Sequence, residues 1–123
     1  MERIEKQMQF ILEIDKEKQI KRKTLQSNGK DFEDDAQHAW HMAIMTLLLS
    51  EYANEKVDVL KTISMLLIHD LVEIDAGDTY AYDDQGLKTQ NERENLAANR
   101  IFNLLPEDQA KKVLHLWNEF EEI

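Results

Sequence analysis

Apolar residues recur along this chain at intervals of three and four positions, which is the spacing of one face of an α-helix. Residues that interrupt helices are scarce, with one proline and three glycines in 123 residues. The pattern predicts helices at about 2–18, 35–53, 55–71 and 88–104, and a fifth that begins at Pro106. We therefore predict an all-α fold, a helical bundle of about five helices.

The predicted helices differ in how their apolar residues are arranged. The first has a single apolar face with charged residues opposite, which predicts a surface helix laid on a core. That face consists of Ile4, Met8, Ile11 and Leu12. The second is apolar nearly all round, so we place it in the middle of the bundle and expect the third to pack against it. The segments at 19–34 and 75–86 are rich in turn formers and predict loops.

Length and charge limit the classes of protein that fit. A chain of 123 residues has the usual size of one domain, so we predict a single domain over 1–123. The sequence has 25 acidic and 15 basic residues and a net charge of −10. This excess of acids disfavours nonspecific binding to nucleic acid polymers and docking on an anionic membrane. An anionic ligand must therefore be captured by a local positive site.

Cysteine is absent, which removes disulfides, thiolate zinc sites and cysteine nucleophiles together. The first residues, MERIEK, alternate in charge and lack the apolar core of a signal peptide. Neither of the two apolar stretches, at 42–49 and 63–68, approaches the roughly 20 residues that span a bilayer. These features predict a soluble, cytoplasmic protein with no membrane partner.

Ionisable residues directly follow the apolar run of the third predicted helix. His69 and Asp70 come first, Glu73 lies one turn later, and Asp78 is in the adjoining loop. Charged groups at the end of a buried helix are costly unless they are paired or bind a metal. On the second helix, His38 is in register with apolar residues and is directed toward a neighbouring helix. Two imidazoles and a carboxylate on packed helices would form a site for one divalent cation: Mn, Fe, Co, Ni, Zn or Mg.

A structural interpretation of the same residues stays open at this point. His69 and Asp70 can form an ion pair without a metal, and His38 can be a core histidine with its hydrogen bonds satisfied. The two tryptophans, Trp40 and Trp117, are predicted to be core or interface residues before they are groups that stack on a base.

Two segments, taken together, resemble the HD-domain phosphohydrolases, and in particular the branch that contains the 5'-deoxynucleotidases. They are residues 34–42, DDAQHAWHM, and residues 68–78, IHDLVEIDAGD. Residues 104–107 and 116–122 also resemble this branch, so the likeness spans nearly the whole chain. The resemblance implies an HD-domain helical bundle and a metal-dependent hydrolase of (deoxy)nucleoside 5'-monophosphates.

The resemblance also implies roles for individual residues. His38, His69 and Asp70 would be the metal ligands, while Glu73 and Asp78 would assist hydrolysis. The metal would neutralise the phosphate and acidify a water molecule. Glu73 would orient or deprotonate that water, and Asp78 would position it or protonate the leaving oxygen.

Arg22 matches the family's phosphate-binding arginine, in the loop after the first helix. This sequence departs from the family's pattern in two places. Gln37 stands where the family usually has a glutamate, directly before the first histidine. The family's fourth protein ligand is an aspartate on a later helix, and the sequence stops at Ile123 before that helix, so we expect a domain that lacks its C-terminal helices.

The departures leave two other functions open. One is a non-catalytic helical module that binds a metal or a nucleotide with an incomplete site. The other is an HD hydrolase of a different phosphorylated small molecule. The apolar and aromatic last helix is compatible with a homodimer, which the resemblance also implies.

Overall fold

Helices make up most of the molecule. The structure, a computed structural model, describes residues 1–77 and 84–122, without the side chains of residues 23, 24 and 84–88. The described helices are α1 (Arg3–Ile14), α2 (Asp35–Leu49), α3 (Val59–Ile68), α4 (Glu73–Ala76), α5 (Asp84–Phe102) and α6 (Glu107–Glu121). Short 3-10 turns occupy Asp15–Gln19, Ser50–Tyr52 and His69–Val72. Five of the helices correspond to those that the apolar spacing predicts, so the helical fold class is confirmed.

A small antiparallel hairpin replaces the loop that was predicted between the first two helices. Its strands are β1 (Lys21–Leu25) and β2 (Phe32–Asp34), with Lys21 opposite Asp34. The turn between them uses Gly29 at a φ of +71°, a left-handed conformation that glycine adopts without strain. Strands this short and this polar show no alternation of apolar and polar residues, so the sequence pattern does not reveal them.

The hydrophobic core lies between α5, α6 and the 3-10 turn His69–Val72. Its buried members are Leu71, Val72, Ala97, Ala98, Ile101, Phe102 and Trp117. The burial of Trp117 confirms the prediction that it is a core residue. Helix α6 begins after Pro106, which is at the N-cap and not inside the helix.

Helix α1 lies on this core with a different face from the one that was predicted. Phe10 and Ile14 pack against the core cluster. The apolar face that the sequence suggested is exposed instead, and it consists of Ile4, Met8, Ile11 and Leu12. The spacing correctly predicted a helix, but it did not identify the buried side, because this helix has apolar residues on two sides.

Helix α2 is not in the middle of the bundle, which corrects a second prediction. Its buried residues are only Asp35, Ala39 and Ala43. It packs against α3 on one side. On its outer side Trp40 is 63% exposed, and Leu47 and Leu48 are each more than half exposed. A helix that is apolar all round needs a partner on every side, and the described part of this chain supplies partners on one side only.

The start of α2 is firmly fixed to the hairpin. The Asp34 side chain accepts a hydrogen bond from the backbone N–H of Gln37 at 2.8 Å, and the Gln37 side chain accepts one from the Asp34 N–H at 3.1 Å. This reciprocal pair is a capping box, which satisfies free amides of the first turn. The backbone N–H of Asp35 also donates to the carbonyl oxygen of Ile20 at 2.9 Å.

Within the described residues, no helix is both long enough and apolar enough to cross a membrane.

Candidate active site

A change of helix type at the end of α3 places the ionisable residues. The α-helix ends at Ile68, and the chain continues as a 3-10 turn over His69–Val72 before α4 begins at Glu73. In a 3-10 turn, residues three positions apart lie above one another. Asp70 and Glu73 are therefore on the same side of the turn, and both are buried.

His69 is hydrogen-bonded in a way that leaves one ring nitrogen facing Asp70. Its Nδ1 lies 3.1 Å from the carbonyl oxygen of Leu66, which can only accept, so Nδ1 carries the proton. Its Nε2 lies 3.1 Å from Asp70 Oδ1. In the neutral imidazole, Nε2 and Oδ1 would direct lone pairs at each other, so this contact needs either a second proton or a cation. The ring also packs on Phe120, with centroids 4.4 Å apart.

Arg22 projects from β1 into a group of carboxylates. Its Nη1 lies 3.4 Å from Asp35 Oδ1 and 3.5 Å from Asp70 Oδ2. Its Nε lies 3.8 Å from Glu33 Oε1. Arg22 therefore brings a positive charge to the acidic group, as a residue that binds phosphate would have to do.

His38 is linked to this group through Glu33. Its Nδ1 lies 2.9 Å from Glu33 Oε1, and since a carboxylate accepts, Nδ1 donates; in the neutral imidazole this leaves the lone pair on Nε2. An imidazole oriented by a carboxylate through its other nitrogen is the usual arrangement of a metal-binding histidine. The hydrogen bonds of His38 lead to Glu33 and not to His69 or Asp70.

Three carboxylates lie close enough together to hold a divalent cation. Asp35, Asp70 and Glu73 each offer one oxygen, and these oxygens lie within 4.8 Å of one another. Oxygen ligands suit hard cations such as Mg and Mn, while the adjoining His69 Nε2 widens the choice to Zn, Co, Fe and Ni. The residues present therefore fit a divalent metal, although neither histidine belongs to this group of three.

The pKa values of this group reflect a surplus of buried acids. Burial, and then the neighbouring carboxyl groups, raise the pKa of Glu73 strongly, and burial also raises the pKa of Asp35. Burial, together with the charges of Asp35 and Asp70, raises the pKa of Glu17 to about 8. Without a cation, the site therefore holds protons near neutral pH, and a positive charge placed among these acids would displace them.

A polar cavity of about 270 Å³ opens onto the acidic group. Arg22, His69, Asp70 and Glu73 line one part of it. The rest of the wall consists of Val72, Gln90, Glu94 and Glu121. With four acids and one arginine around it, the cavity would repel an anionic substrate unless a cation were bound there as well.

The sequence-based candidates are partly brought together. Arg22, His69, Asp70 and Glu73 line one cavity, and His38 joins them through Glu33. Asp78, the remaining candidate, lies outside the described residues.

The structure adds three residues that the sequence analysis did not select for chemistry: Glu17, Glu33 and Asp35. Asp35 and Glu17 are 0% and 6% exposed, respectively. For Asp35 a signal existed, because two aspartates stand where one N-cap is needed. Glu17 sits between two lysines, and nothing in its local sequence indicates burial.

The fold and the site together define a class of protein. The family model described as HD domain matches residues 14–123, which is most of the chain. The chain belongs to the HD domain family.

Known proteins of similar sequence and structure are consistent with this assignment. The 5'-deoxynucleotidase HDDC2 of Homo sapiens is 30% identical over 84 residues, which cover 68% of this chain and 40% of that protein. The protein of the same name from Dictyostelium discoideum is 28% identical over 121 residues, 94% of this chain and 64% of that one. A crystal structure of a predicted metal-dependent phosphohydrolase from Magnetospirillum magnetotacticum MS-1 superposes with a TM-score of 0.90 at 50% identity, over 98% of this chain and 60% of that one. This chain thus spans less than two thirds of the length of each of these proteins.

Proposed function

We propose that this protein is a metal-dependent phosphohydrolase that releases phosphate from (deoxy)nucleoside 5'-monophosphates. The observation that carries the proposal is the cavity in which Arg22, His69, Asp70 and Glu73 come together, with His69 Nε2 3.1 Å from Asp70 Oδ1. The names of the HDDC2 relatives support the nucleotide as substrate.

His38, His69 and Asp70 are the residues that would hold the cation in this proposal. Glu33 orients the ring of His38, and the carbonyl of Leu66 orients the ring of His69. In the neutral imidazoles, Nε2 is therefore the nitrogen that can act as a ligand. The cation, when bound, neutralises phosphate charge and makes a water molecule more acidic.

Arg22 and Glu73 supply the remaining chemistry in the described part of the cavity. In the structure, Arg22 pairs with Asp35 and Asp70. In the complex with substrate, some of the N–H groups of its guanidinium donate hydrogen bonds to the phosphate oxygens instead. Glu73 accepts a proton from the attacking water once a nearby positive charge has lowered its pKa. For Asp78 we propose, from the family resemblance alone, that it positions this water or protonates the leaving oxygen.

The proposal is tested by phosphate release from a panel of ribo- and deoxyribonucleoside 5'-monophosphates with added Mn or Co. We expect hydrolysis by the wild type and a loss of more than about 100-fold in the His69→Ala variant, because the site loses a ligand. His115→Ala is the matched control, since this histidine is on α6 and its side chain is 79% exposed.

Equal rates in the wild type and His69→Ala would refute the proposal. Binding of metal and nucleotide without turnover would favour the non-catalytic module instead. Turnover of other phosphomonoesters in preference to nucleotides would keep the reaction and change the substrate.

We also propose that two copies of the chain associate through the outer face of α2. Residues 39–49 contain no Asp, Glu, Lys or Arg, in a chain whose net charge is −10. Two copies can meet there without bringing like charges together, and the contact would cover an apolar patch that is otherwise exposed to water.

Sedimentation should show a dimer in the wild type, and Leu48→Glu should dissociate it. Leu12→Glu is the control, because Leu12 is similarly exposed but lies on α1, and this variant should stay dimeric. Dissociation by both substitutions or by neither would contradict this interface.

A further inference from the structure

Asp35 is fully buried at a helix position where an acidic residue is normally exposed. It is the first residue of α2 and has 0% of its surface exposed to solvent. The helix does not need it as a cap, because Asp34 already accepts the hydrogen bond from the Gln37 N–H. A buried carboxylate is costly and rarely adds stability compared with an apolar residue of similar volume, so its presence needs another explanation.

The carboxylate of Asp35 touches two of the groups that the proposed reaction uses. Its Oδ1 lies 3.4 Å from Arg22 Nη1. Its carboxyl group also lies beside that of Glu73, since one oxygen each of Asp35, Asp70 and Glu73 lie within 4.8 Å of one another. Within the described part of the chain, Asp35 Oδ2 and Glu73 Oε2 are both buried and have no hydrogen-bond partner, so no other contact explains why these two carboxyl groups face each other.

The backbone keeps Asp35 in this place from two sides. Its N–H donates to Ile20 at 2.9 Å, just before β1, and the capping box fixes the residue before it. Arg22 is on β1 and Glu73 is at the start of α4, so Asp35 contacts groups from two separate elements.

We propose that Asp35 is a positioning residue, which holds the guanidinium of Arg22 and the carboxyl group of Glu73 in one fixed arrangement beside the cavity. The inference rests on the proposed function, because that function assigns the phosphate to Arg22 and the water to Glu73. Asp35 itself lies behind both groups and is not among the residues that line the cavity.

The first test is steady-state hydrolysis by Asp35→Asn, which keeps the shape of the side chain. The amide loses the charge that holds Arg22 and places an N–H donor or a neutral oxygen beside Glu73 in place of the carboxylate. We expect kcat to fall by about 10- to 100-fold, the range found for groups that orient a site, while KM changes by less than about 5-fold. Asp34→Asn is the matched control and should keep kcat within about 2-fold, because asparagine caps a helix as well as aspartate does.

A second readout does not depend on turnover. A guanidinium held by several ion pairs rotates slowly, so the Nε–Hε group of Arg22 should give a resolved NMR signal in the wild type and in Asp34→Asn. We expect that signal to broaden or disappear in Asp35→Asn. If the wild type hydrolyses nothing, the proposed function fails, and the Arg22 signal still decides whether Asp35 holds the arginine.

A double-mutant comparison separates positioning from a general effect on the fold. If Asp35 acts through Glu73, adding Asp35→Asn to Glu73→Gln should reduce the remaining activity by less than about 3-fold, far less than its effect on the wild type. An unchanged kcat together with an unchanged Arg22 signal in a folded Asp35→Asn protein would overturn the proposal. It would also be overturned if Asp35→Asn reduced the activity of Glu73→Gln by the same factor as it reduces that of the wild type. If Asp35→Asn does not fold, Asp35→Glu takes its place, since it keeps the charge but moves the carboxylate by one methylene, and the same losses are expected.

Discussion

The two ends of α2 both depart from the usual rule that acidic side chains are exposed and large apolar side chains are buried. At its first turn, Asp35 is completely buried, while near its last turn Leu48 is 64% exposed. The buried acid is surrounded by Arg22 and Glu73, and the exposed leucine has no such cover in the described part of the chain. We propose that Asp35 positions Arg22 and Glu73 at the first turn, and that a second copy of the chain covers the exposed leucine near the last.

The comparison implies that apolar side chains stabilise this fold only where they are enclosed. Phe102, on α5, has 0% of its surface exposed. Phe102→Ala should lower the free energy of unfolding by about 3–5 kcal/mol, because it removes buried surface and leaves a cavity. Urea denaturation checks this, and a loss below about 1 kcal/mol would contradict the placement of the core.

The buried acids should make stability depend on pH in an unusual direction. Since the pKa of Glu17 is raised to about 8 in the folded state, folding favours its protonated form. That contribution is fully present below the usual glutamate pKa and is lost as pH rises through 8. Between pH 5 and 8, the metal-free wild type should lose about 3 kcal/mol of stability that Glu17→Gln does not lose.

Thermal or urea unfolding in the presence of a chelator, at several pH values, provides this measurement. The Gln variant is the control because it mimics the protonated carboxyl group at every pH. Parallel curves for the two proteins would mean that Glu17 is not buried among acids as described.

The polar cap at the first turn of α2 should have a smaller effect. Asp34→Ala removes the hydrogen bond to the Gln37 N–H, and we expect a loss of about 1 kcal/mol in the free energy of unfolding. Asp34→Asn should cost almost nothing, since asparagine accepts the same bond. If both substitutions cost the same, the charge of Asp34 would matter and the capping box would not.

The smallest effect is expected at the exposed end of α2. Leu48→Ala, measured at a concentration where the chain is monomeric, should change the free energy of unfolding by less than about 0.5 kcal/mol. A larger loss would show that this leucine is enclosed within the monomer, and the contrast between the two ends of α2 would disappear.

The sequence predicted the helices well because their signal is local. Apolar spacing identified the five main helices, and the scarcity of proline and glycine limited where they could end. It did not predict what surrounds them. The uniform apolar character of α2 suggested a central helix, but burial depends on the number of neighbours, which the sequence of one helix does not contain. The hairpin was missed because strands of five and three residues, most of them polar, have no period to detect.

The candidate site was predicted in part for the same reason. His69, Asp70 and Glu73 are neighbours in sequence, and a tight turn keeps them together. His38 was selected from its register on the second helix and Arg22 from the family resemblance, and the structure joins them to the others through Glu33 and Asp35. Arg22 lies 13 positions from Asp35 in sequence, and no local pattern can reveal a contact over that separation.

The central claim is that His69 and Asp70 face each other because a divalent cation belongs between or beside them. Calorimetric titration of the metal-free protein with Mn tests this directly, without requiring turnover. We predict saturable binding of one cation per chain to the wild type and to His115→Ala, and no measurable binding to His69→Ala. Equal binding by the wild type and His69→Ala would contradict the account, because the cation would then be held without the residue on which the proposed site depends.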